Sequence, residues 1–438
     1  MAKDFTRRDF IKVTTSSLLV AGFPAIIPAS ARGRDGKAAP SDRIVMGWIG
    51  TGGQGTSLLK RFIEQPDVQV IAIADVDAKN RANAAKVINT KYNNKDCASY
   101  KDFRELLARK EIDAVTVATP DHWHALASIA AAEAGKDIYC EKPLANSVAE
   151  GRAICEAVKK HKRILQTGSH ERSTPTVRQA CELVRNGLIG KVETVHINLP
   201  CGDKHHNSIK AITSLPLPQQ VPAELDYDFW LGHTPRVPYY KERTHFWWRF
   251  ILSYGGGELT DRGAHVIDLA QLGLGTDATG PVEFDATGSD NKHGLYDAFM
   301  DYKFINTYAN GVKVIGSTEG SRGLKFKGTD GWIFIHIHGG KLEASDPALL
   351  TTKTETLKVQ LGRSPGHYRN FLDSVRSRQW PLAHAEIGQR TATICHLNNL
   401  AMKLGRKLKW DPKKEKVIND AEANHMLLPE MRGPWSLA

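Results

Sequence analysis

The 438-residue chain predicts an α/β fold: an N-terminal doubly wound parallel sheet followed by a second domain built on a sheet with hairpin connections. Three observations carry this reading. A buried-strand pattern runs straight into a glycine turn at Ile44–Gly55, IVMGWIGTGGQG. Strands then alternate with helical segments up to residue 168, the pattern of a parallel sheet. From Lys191 onward, short strand-like runs follow one another with few helices between them. The boundaries drawn are residues 1–31, a leader; 42–168, the first domain; and 169–438, the second.

In the first domain, Gly50, Gly52 and Gly55 stand at G-x-G-x-x-G spacing, with Gly53 and Gln54 inside the turn. The first glycine permits the tight turn, the second lets backbone approach a pyrophosphate, and the third lets the next helix, 56–65, pack close to the strand. Strand Val68–Ala74 ends at Asp75, twenty residues after Gly55, where a carboxylate accepts hydrogen bonds from an adenosine ribose. Its charge would repel a 2′-phosphate, which predicts NAD over NADP, although Lys79 and Arg81 are close by. Helices follow at Lys79–Ile88 and Lys101–Arg109, then strand Ala114–Ala118, which ends in Thr119-Pro120-Asp121-His122-Trp123-His124. Helix Ala125–Ala134, strand Asp137–Cys140, the turn Glu141-Lys142-Pro143, helix Ala149–Lys160 and strand Ile164–Thr167 complete the domain. Each polar segment falls at the carboxyl end of a strand, where such sheets bind ligands.

The second-domain strands are expected at Val192–Leu199, Val282–Thr287, Ala298–Phe304, Val312–Ser317, Gly323–Lys327 and Trp332–Ile337. The long proline-bearing loop Cys201–Pro238 would frame a pocket or cover an oligomer contact.

Four motifs in order now resemble those of the Gfo/Idh/MocA family of sugar and inositol dehydrogenases: Gly50–Gly55, Thr119–His124, Glu141–Pro143, and Asp261-Arg262-Gly263-Ala264-His265-Val266-Ile267-Asp268. The resemblance implies an open, mostly antiparallel second sheet with helices on one face, and a homodimer or homotetramer. It implies that Thr119, Pro120, His124, Glu141 and Lys142 border bound NAD. It also places Lys142 between nicotinamide and substrate, where a neighbouring cation and a partly dry site would lower its pKa. Oxidising a secondary alcohol needs a base for the hydroxyl proton beside the hydride acceptor. Asp261 and His265, four apart, would share a helix face, Asp261 polarising the hydroxyl and His265 accepting its proton. The run Gly255-Gly256-Gly257 would let backbone approach the ligand.

Substrate contacts are expected from Gln166, His170 and Arg172 after the last strand of the first domain, and from Trp247, Trp248 and Arg249. Trp123 is expected to pack at its strand end. His205-His206 and His336-x-His338 have no Cys, Glu or third His at ligand spacing nearby, so no metal is expected.

Residues 6–31 read as a twin-arginine export signal: Thr6–Lys12 (TRRDFIK), the uncharged stretch Val13–Ile27, and an Ala29-Ser30-Ala31 cleavage site. The stretch is shorter than the roughly 20 apolar residues a membrane span needs, so the expectation is a periplasmic protein with no stable anchor. The net charge is +11, and losing residues 1–31 removes four basic and two acidic side chains, leaving +9. The basic residues are scattered and no nucleic-acid motif is present. Six cysteines without framework spacing read as buried thiols.

An exported dehydrogenase meets no free NAD pool, so it would hold its cofactor tightly and recycle it. Two reactions satisfy that demand: coupled oxidation and reduction of sugars, or NAD-dependent glycoside cleavage, as in the related family 109 α-N-acetylgalactosaminidases. Retention of D-x-G-x-H at Asp261 to His265 favours the oxidoreductase. A non-catalytic sugar-binding protein fits poorly with Lys142, Asp261 and His265 all present.

Overall fold

The computed structural model describes residues 39, 42–290, 294–338 and 340–437. Arg7, Arg8 and Ala29–Ala31 lie outside the described residues.

The first sheet is built from β1 (Ile44–Ile49), α1 (Gly53–Phe62), β2 (Val68–Ala74), α2 (Ala78–Tyr92), β3 (Ala98–Tyr100), α3 (Phe103–Leu107), β4 (Ala114–Val117), α4 (His124–Glu133), β5 (Asp137–Cys140), α5 (Val148–Lys160) and β6 (Leu165–Thr167). Its order is β3-β2-β1-β4-β5-β6, with every pair parallel. The strand order reverses between β1 and β4, and a crevice opens there at the carboxyl ends. Central strands β4 and β5 are buried along their whole length, as strands covered on both faces must be. One face packs Met46, Trp48, Phe62 and Tyr139; the other packs Ile49, Val115, Val117 and Ile138.

The second sheet follows with α6 (Pro175–Arg185), β7 (Val192–Asn198), α7 (Lys204–Lys210), α8 (Tyr227–Leu231), α9 (Gly263–Leu274), β8 (Glu283–Ser289), β9 (Asp301–Thr307), β10 (Lys313–Ser317), β11 (Gly323–Gly328), β12 (Trp332–His336), β13 (Leu342–Ala344), α10 (His367–Ser377), α11 (Ala385–Leu404), β14 (Leu408–Asp411), β15 (Lys416–Val417) and α12 (Ala421–His425). The order is β13-β12-β11-β7-β10-β9-β8-β14-β15. Among the described residues of this sheet, only β7 and β10 pair in parallel. Strand β9 alternates exposed Asp301, Lys303 and Ile305 with buried Tyr302, Phe304 and Asn306, so one face meets solvent and the other meets α9 and α11. The strand expected at Ala298 begins only at Asp301, because Ala298 N–H bonds the Phe250 carbonyl instead of a strand partner.

The two sheets are tied together by the end of the chain. Helix α10 returns to the first sheet, where fully buried Phe371 meets Phe62 and Tyr139 edge-on at ring distances of 6.2 and 5.9 Å. Helix α11 lies along α5, and Arg152 on α5 pairs with Glu386 at 2.7 Å and Glu415 at 2.8 Å. The first sheet's packing therefore does not end at residue 168. All six cysteines are free and five are buried. Among the described residues, no helix is long and apolar enough to cross a membrane.

Candidate active site

A cleft of about 720 Å³ opens along the carboxyl ends of β1, β2, β4 and β5 and is closed on its far side by His245, Phe246, Trp248, Arg249 and the start of α9. At one end lies the glycine turn. Gly50 sits at φ +85°, and a Cβ there would come within 2.6 Å of the Ala118 backbone. A Cβ on Gly55 would come within 2.2 Å of the Gly50 carbonyl, so this glycine permits α1 to pack on the turn. Gly52 and Gly53 face open space, and α1 starts without a side-chain cap, leaving its N-terminal N–H groups turned to the cleft.

Asp75 closes the turn from below. Its carboxylate accepts hydrogen bonds from Thr51 N–H at 2.7 Å, Thr51 Oγ1 at 3.0 Å and Asp77 N–H at 2.9 Å. A carboxylate offers about four acceptor positions, so one is left toward the cleft. Burial pushes this carboxyl up despite the three bonds. Arg81 is turned to the Asp75 backbone carbonyl. Thr119 and Pro120 line the cleft, and Thr119 Oγ1 is buried with no partner among the described residues. The open glycines, the uncapped helix start, the spare acceptor on Asp75 and the orphaned threonine oxygen together fit a dinucleotide.

His124 also reaches the cleft, but its ring spans two loops: Nδ1 lies 2.7 Å from the Pro143 carbonyl and Nε2 3.1 Å from the Thr119 carbonyl. It positions the ends of β4 and β5, and burial lowers its pKa to about 4. Glu141 accepts from Gln54 Nε2 at 3.1 Å and from Lys142 N–H at 3.2 Å. Gly168 makes room for it, since a Cβ there would meet Glu141 Oε2 at 2.8 Å.

The centre of the cleft is an ion-pair cluster. Lys142 Nζ lies 2.5 Å from Asp261 Oδ1, and Arg249 Nε lies 3.0 Å from Asp261 Oδ2. The Arg249 guanidinium rests 3.8 Å above the Phe246 ring, which fixes its plane. Burial alone would lower the Lys142 pKa, but Asp261, Glu141 and Asp121 outweigh it, so the ammonium is held more firmly protonated than usual. This corrects the lowered pKa expected from sequence: three carboxylates surround the lysine, of which Glu141 and Asp261 were named as site residues and Asp121 was not. Asp261 moves the opposite way: Lys142 and Arg249 overcome burial and keep its carboxyl below the usual range. Regular helix begins at Gly263, so Asp261 sits in the turn before α9 and not on its face.

Beside the cluster stand three histidines. His265 lies with its ring edge-on to His170 at 4.6 Å and to His338 at 5.4 Å. Burial, then the charges of His170, Lys142 and His338, push its pKa well down, so the ring is neutral at physiological pH. Its buried Nδ1 has no hydrogen-bond partner among the described residues.

Three expected substrate residues lie elsewhere. Gln166 is fully buried in β6, where its amide donates to the His367 carbonyl at 2.8 Å. Arg172 is buried between Asp268 and Asp277, at 2.7 Å from each. Trp247 packs against the second-domain core and Tyr296; its neighbour Trp248 faces the cleft. The glycine run is also for packing: a Cβ on Gly255, Gly256 or Gly257 would meet Trp248, Thr260 or Ala298 within 3 Å. Trp123 packs at its strand end as expected, wedged among Phe103, Phe229 and Trp435, with Nε1 bonded to the Trp230 carbonyl at 3.0 Å. Trp248, Arg249 and His170 line the cleft as expected, whereas Asp121 and His338 are cleft residues with no assigned role in the sequence. Asp121 was within reach, because it sits in the polar segment at the end of β4.

Two family models match this chain: an oxidoreductase-family NAD-binding Rossmann fold over residues 44–169, and an oxidoreductase-family C-terminal alpha/beta domain over residues 173–437. The chain belongs to the Gfo/Idh/MocA oxidoreductase family. Levoglucosan dehydrogenase from Pseudarthrobacter phenanthrenivorans is 29% identical over 264 residues, covering 55% of this chain and 57% of the relative. An inositol 2-dehydrogenase/D-chiro-inositol 3-dehydrogenase from Shouchella clausii is 32% identical over 209 residues, covering 46% and 57%. The chain thus spans somewhat more than half the length of these curated relatives. The fold is similar to that of the WlbA dehydrogenase from Bordetella pertussis, solved with NADH and UDP-GlcNAcA, at a TM-score of 0.64 and 14% identity over 84% of this chain and 99% of that one.

Proposed function

We propose that the protein oxidises a secondary hydroxyl of a sugar or glycoside, with NAD held in the cleft and recycled within each catalytic cycle. The observation that carries this is the Lys142–Asp261–Arg249 cluster, which lies in one cleft with both the dinucleotide turn and the neutral His265. Gly50, Gly52, Gly53, Gln54, Gly55, Asp75, Thr119, Pro120 and Glu141 would hold NAD, with His124 positioning two of their loops. NAD, when bound, supplies the hydride acceptor.

The chain's own residues supply the rest. Lys142, held as an ammonium, donates a hydrogen bond to the reacting oxygen and stabilises negative charge as it develops there. Asp261 fixes the ammonium's position and shares Arg249, whose guanidinium is locked on Phe246. The unpartnered Nδ1 of His265 accepts the hydroxyl proton; a neutral ring can do so, and a protonated one cannot. Trp248 offers an aromatic face to the C–H face of a sugar.

The export signal supports a periplasmic location reached through the twin-arginine machinery, with cleavage near Ala31. Replacing Arg7 and Arg8 by lysine should then retain the protein in the cytoplasm; unchanged export would point to the general secretory route. Tight cofactor binding follows from that location, and the open second sheet would serve a homo-oligomer. The test is cofactor content and turnover of purified protein against a carbohydrate panel with no added NAD. Near-stoichiometric NAD(H), and oxidised sugar appearing with a reduced acceptor, are expected. Release of an aglycone with solvent deuterium at C2 and no net oxidation would favour the glycosidase instead. A protein that purifies empty and consumes NAD as a co-substrate would defeat the recycling.

A further inference from the structure

The structure assigns a second function to the same cleft: His170, Glu171 and His338 form a binding site for one divalent transition-metal ion of the zinc class. Glu171 is 2% exposed and lies under the two imidazoles, with its Oε1 3.5 Å from His170 Nε2 and 3.4 Å from His338 Nδ1. The donor atoms all fall within 4.8 Å of one another. Metal–nitrogen and metal–oxygen bonds of about 2.0–2.1 Å at tetrahedral angles put neighbouring donors about 3.4 Å apart, which matches both measured His–Glu separations. The His338 N–H also donates to Glu171 Oε1 at 2.9 Å, anchoring the carboxylate that would carry the ion.

Two nitrogens and one oxygen leave a fourth position open to the cleft, the arrangement of a catalytic and not a structural site. A second observation points to an occupant. His265 is 4% exposed, its Nδ1 has no partner among the described residues, and its ring stands edge-on to both liganding imidazoles. A sugar hydroxyl at the open position would be polarised by the ion and would lose its proton to His265. This role rests on the proposed reaction; the metal site itself does not.

The sequence hides the site because His338 lies far along the chain from His170 and Glu171. The other histidine cluster, Asp203, His205 and His206, is a weaker candidate: Asp203 is already paired with Arg262 at 2.7 Å and Arg322 at 3.0 Å. The Nδ1 of His206 accepts from Asp203 N–H, and its Nε2 lies 3.2 Å from Glu258.

The test is calorimetric titration of chelator-treated full-length protein with Zn²⁺, and visible absorption after loading with Co²⁺. One ion per chain is expected, together with the intense d–d bands of low-coordinate cobalt. His338→Ala and Glu171→Gln should each weaken Zn²⁺ at least tenfold and remove the bands, while NAD affinity, measured by fluorescence, stays within twofold and reports an intact fold. His205→Ala should change neither. Absence of stoichiometric Zn²⁺ binding, or binding that survives both variants and is lost with His205→Ala, would overturn the assignment. Because no substrate is present, failure here leaves the sugar oxidation standing, and a metal-loaded protein that oxidises no carbohydrate would refute only the latter.

Discussion

Asp261→Asn removes one charge and little volume from the centre of the cleft. The Lys142 and Asp261 side chains are 17% and 18% exposed, so the pair is largely desolvated. Leaving one partner of such a pair uncompensated costs about 3–5 kcal/mol. Glu141 and Asp121 still face the lysine, which puts the expectation at the low end, about 3 kcal/mol in urea unfolding. The sign of the pH dependence follows from both groups. The Asp261 pKa is depressed, so its contribution is present above the unfolded value of about 3.9 and is lost as pH falls through the folded value. The Lys142 pKa is raised, so its contribution is present below about 10.4 and is lost as pH rises through the folded value. Wild-type protein therefore has the pair across the neutral range; the variant should lose the acid limb and keep only the part of the alkaline limb that Glu141 and Asp121 sustain. Without Asp261 the ammonium is no longer pinned, and misplacement on this scale costs about 100-fold in kcat/KM. Steady-state kinetics on the oxidised carbohydrate, beside urea curves, read both quantities. An Asn variant that is destabilised yet fully active would make the pair purely structural and would refute its place in the chemistry.

Three other substitutions probe separate parts of the account. His265→Ala should lower kcat by roughly 10²–10⁴ with NAD affinity nearly unchanged. Because burial and neighbouring charges push the His265 pKa well down, the wild-type acid limb of kcat/KM should lie below the ordinary histidine value of about 6.5. An inflection at that value that disappears in the variant would contradict this. Asp75→Ala should narrow the preference for NAD over NADP, and equal affinity of the unmutated protein for both, by calorimetry, would sink that assignment. Phe371→Ala empties a fully buried site between α10 and the first sheet and should cost about 3–5 kcal/mol in urea unfolding, with the metal-site residues untouched.

The first sheet was readable because its signals are local. Strand β1, the turn and Asp75 are contiguous, and the five strands expected there are observed close to their ranges, while the short edge strand β3 falls where a loop around Tyr100 was expected. Helix α11 was not read because it is buried nearly all round and shows little amphipathic contrast; α6 and α10 are clearly amphipathic and carried a local signal, but the packing of α10 on Phe62 and Tyr139 of the first domain did not. The same distance explains the site. Lys142, Asp261 and His265 came from motifs. Arg172, placed after a strand end like a ligand contact, is held by Asp268 and Asp277, partners that spacing cannot reveal. Trp247 and Trp248 are neighbours in a short 3₁₀ turn that points them apart, and sequence alone does not say which one faces the cleft.

The most direct measurement follows the hydride. A carbohydrate found to be oxidised, labelled with deuterium at the reacting carbon, would be mixed with protein and NAD and quenched within one turnover, and the cofactor would be analysed by mass. The account predicts one deuterium on the nicotinamide, arriving more slowly in Lys142→Ala and His265→Ala than in wild type. Product formed with no deuterium in the cofactor would contradict oxidation at this cleft.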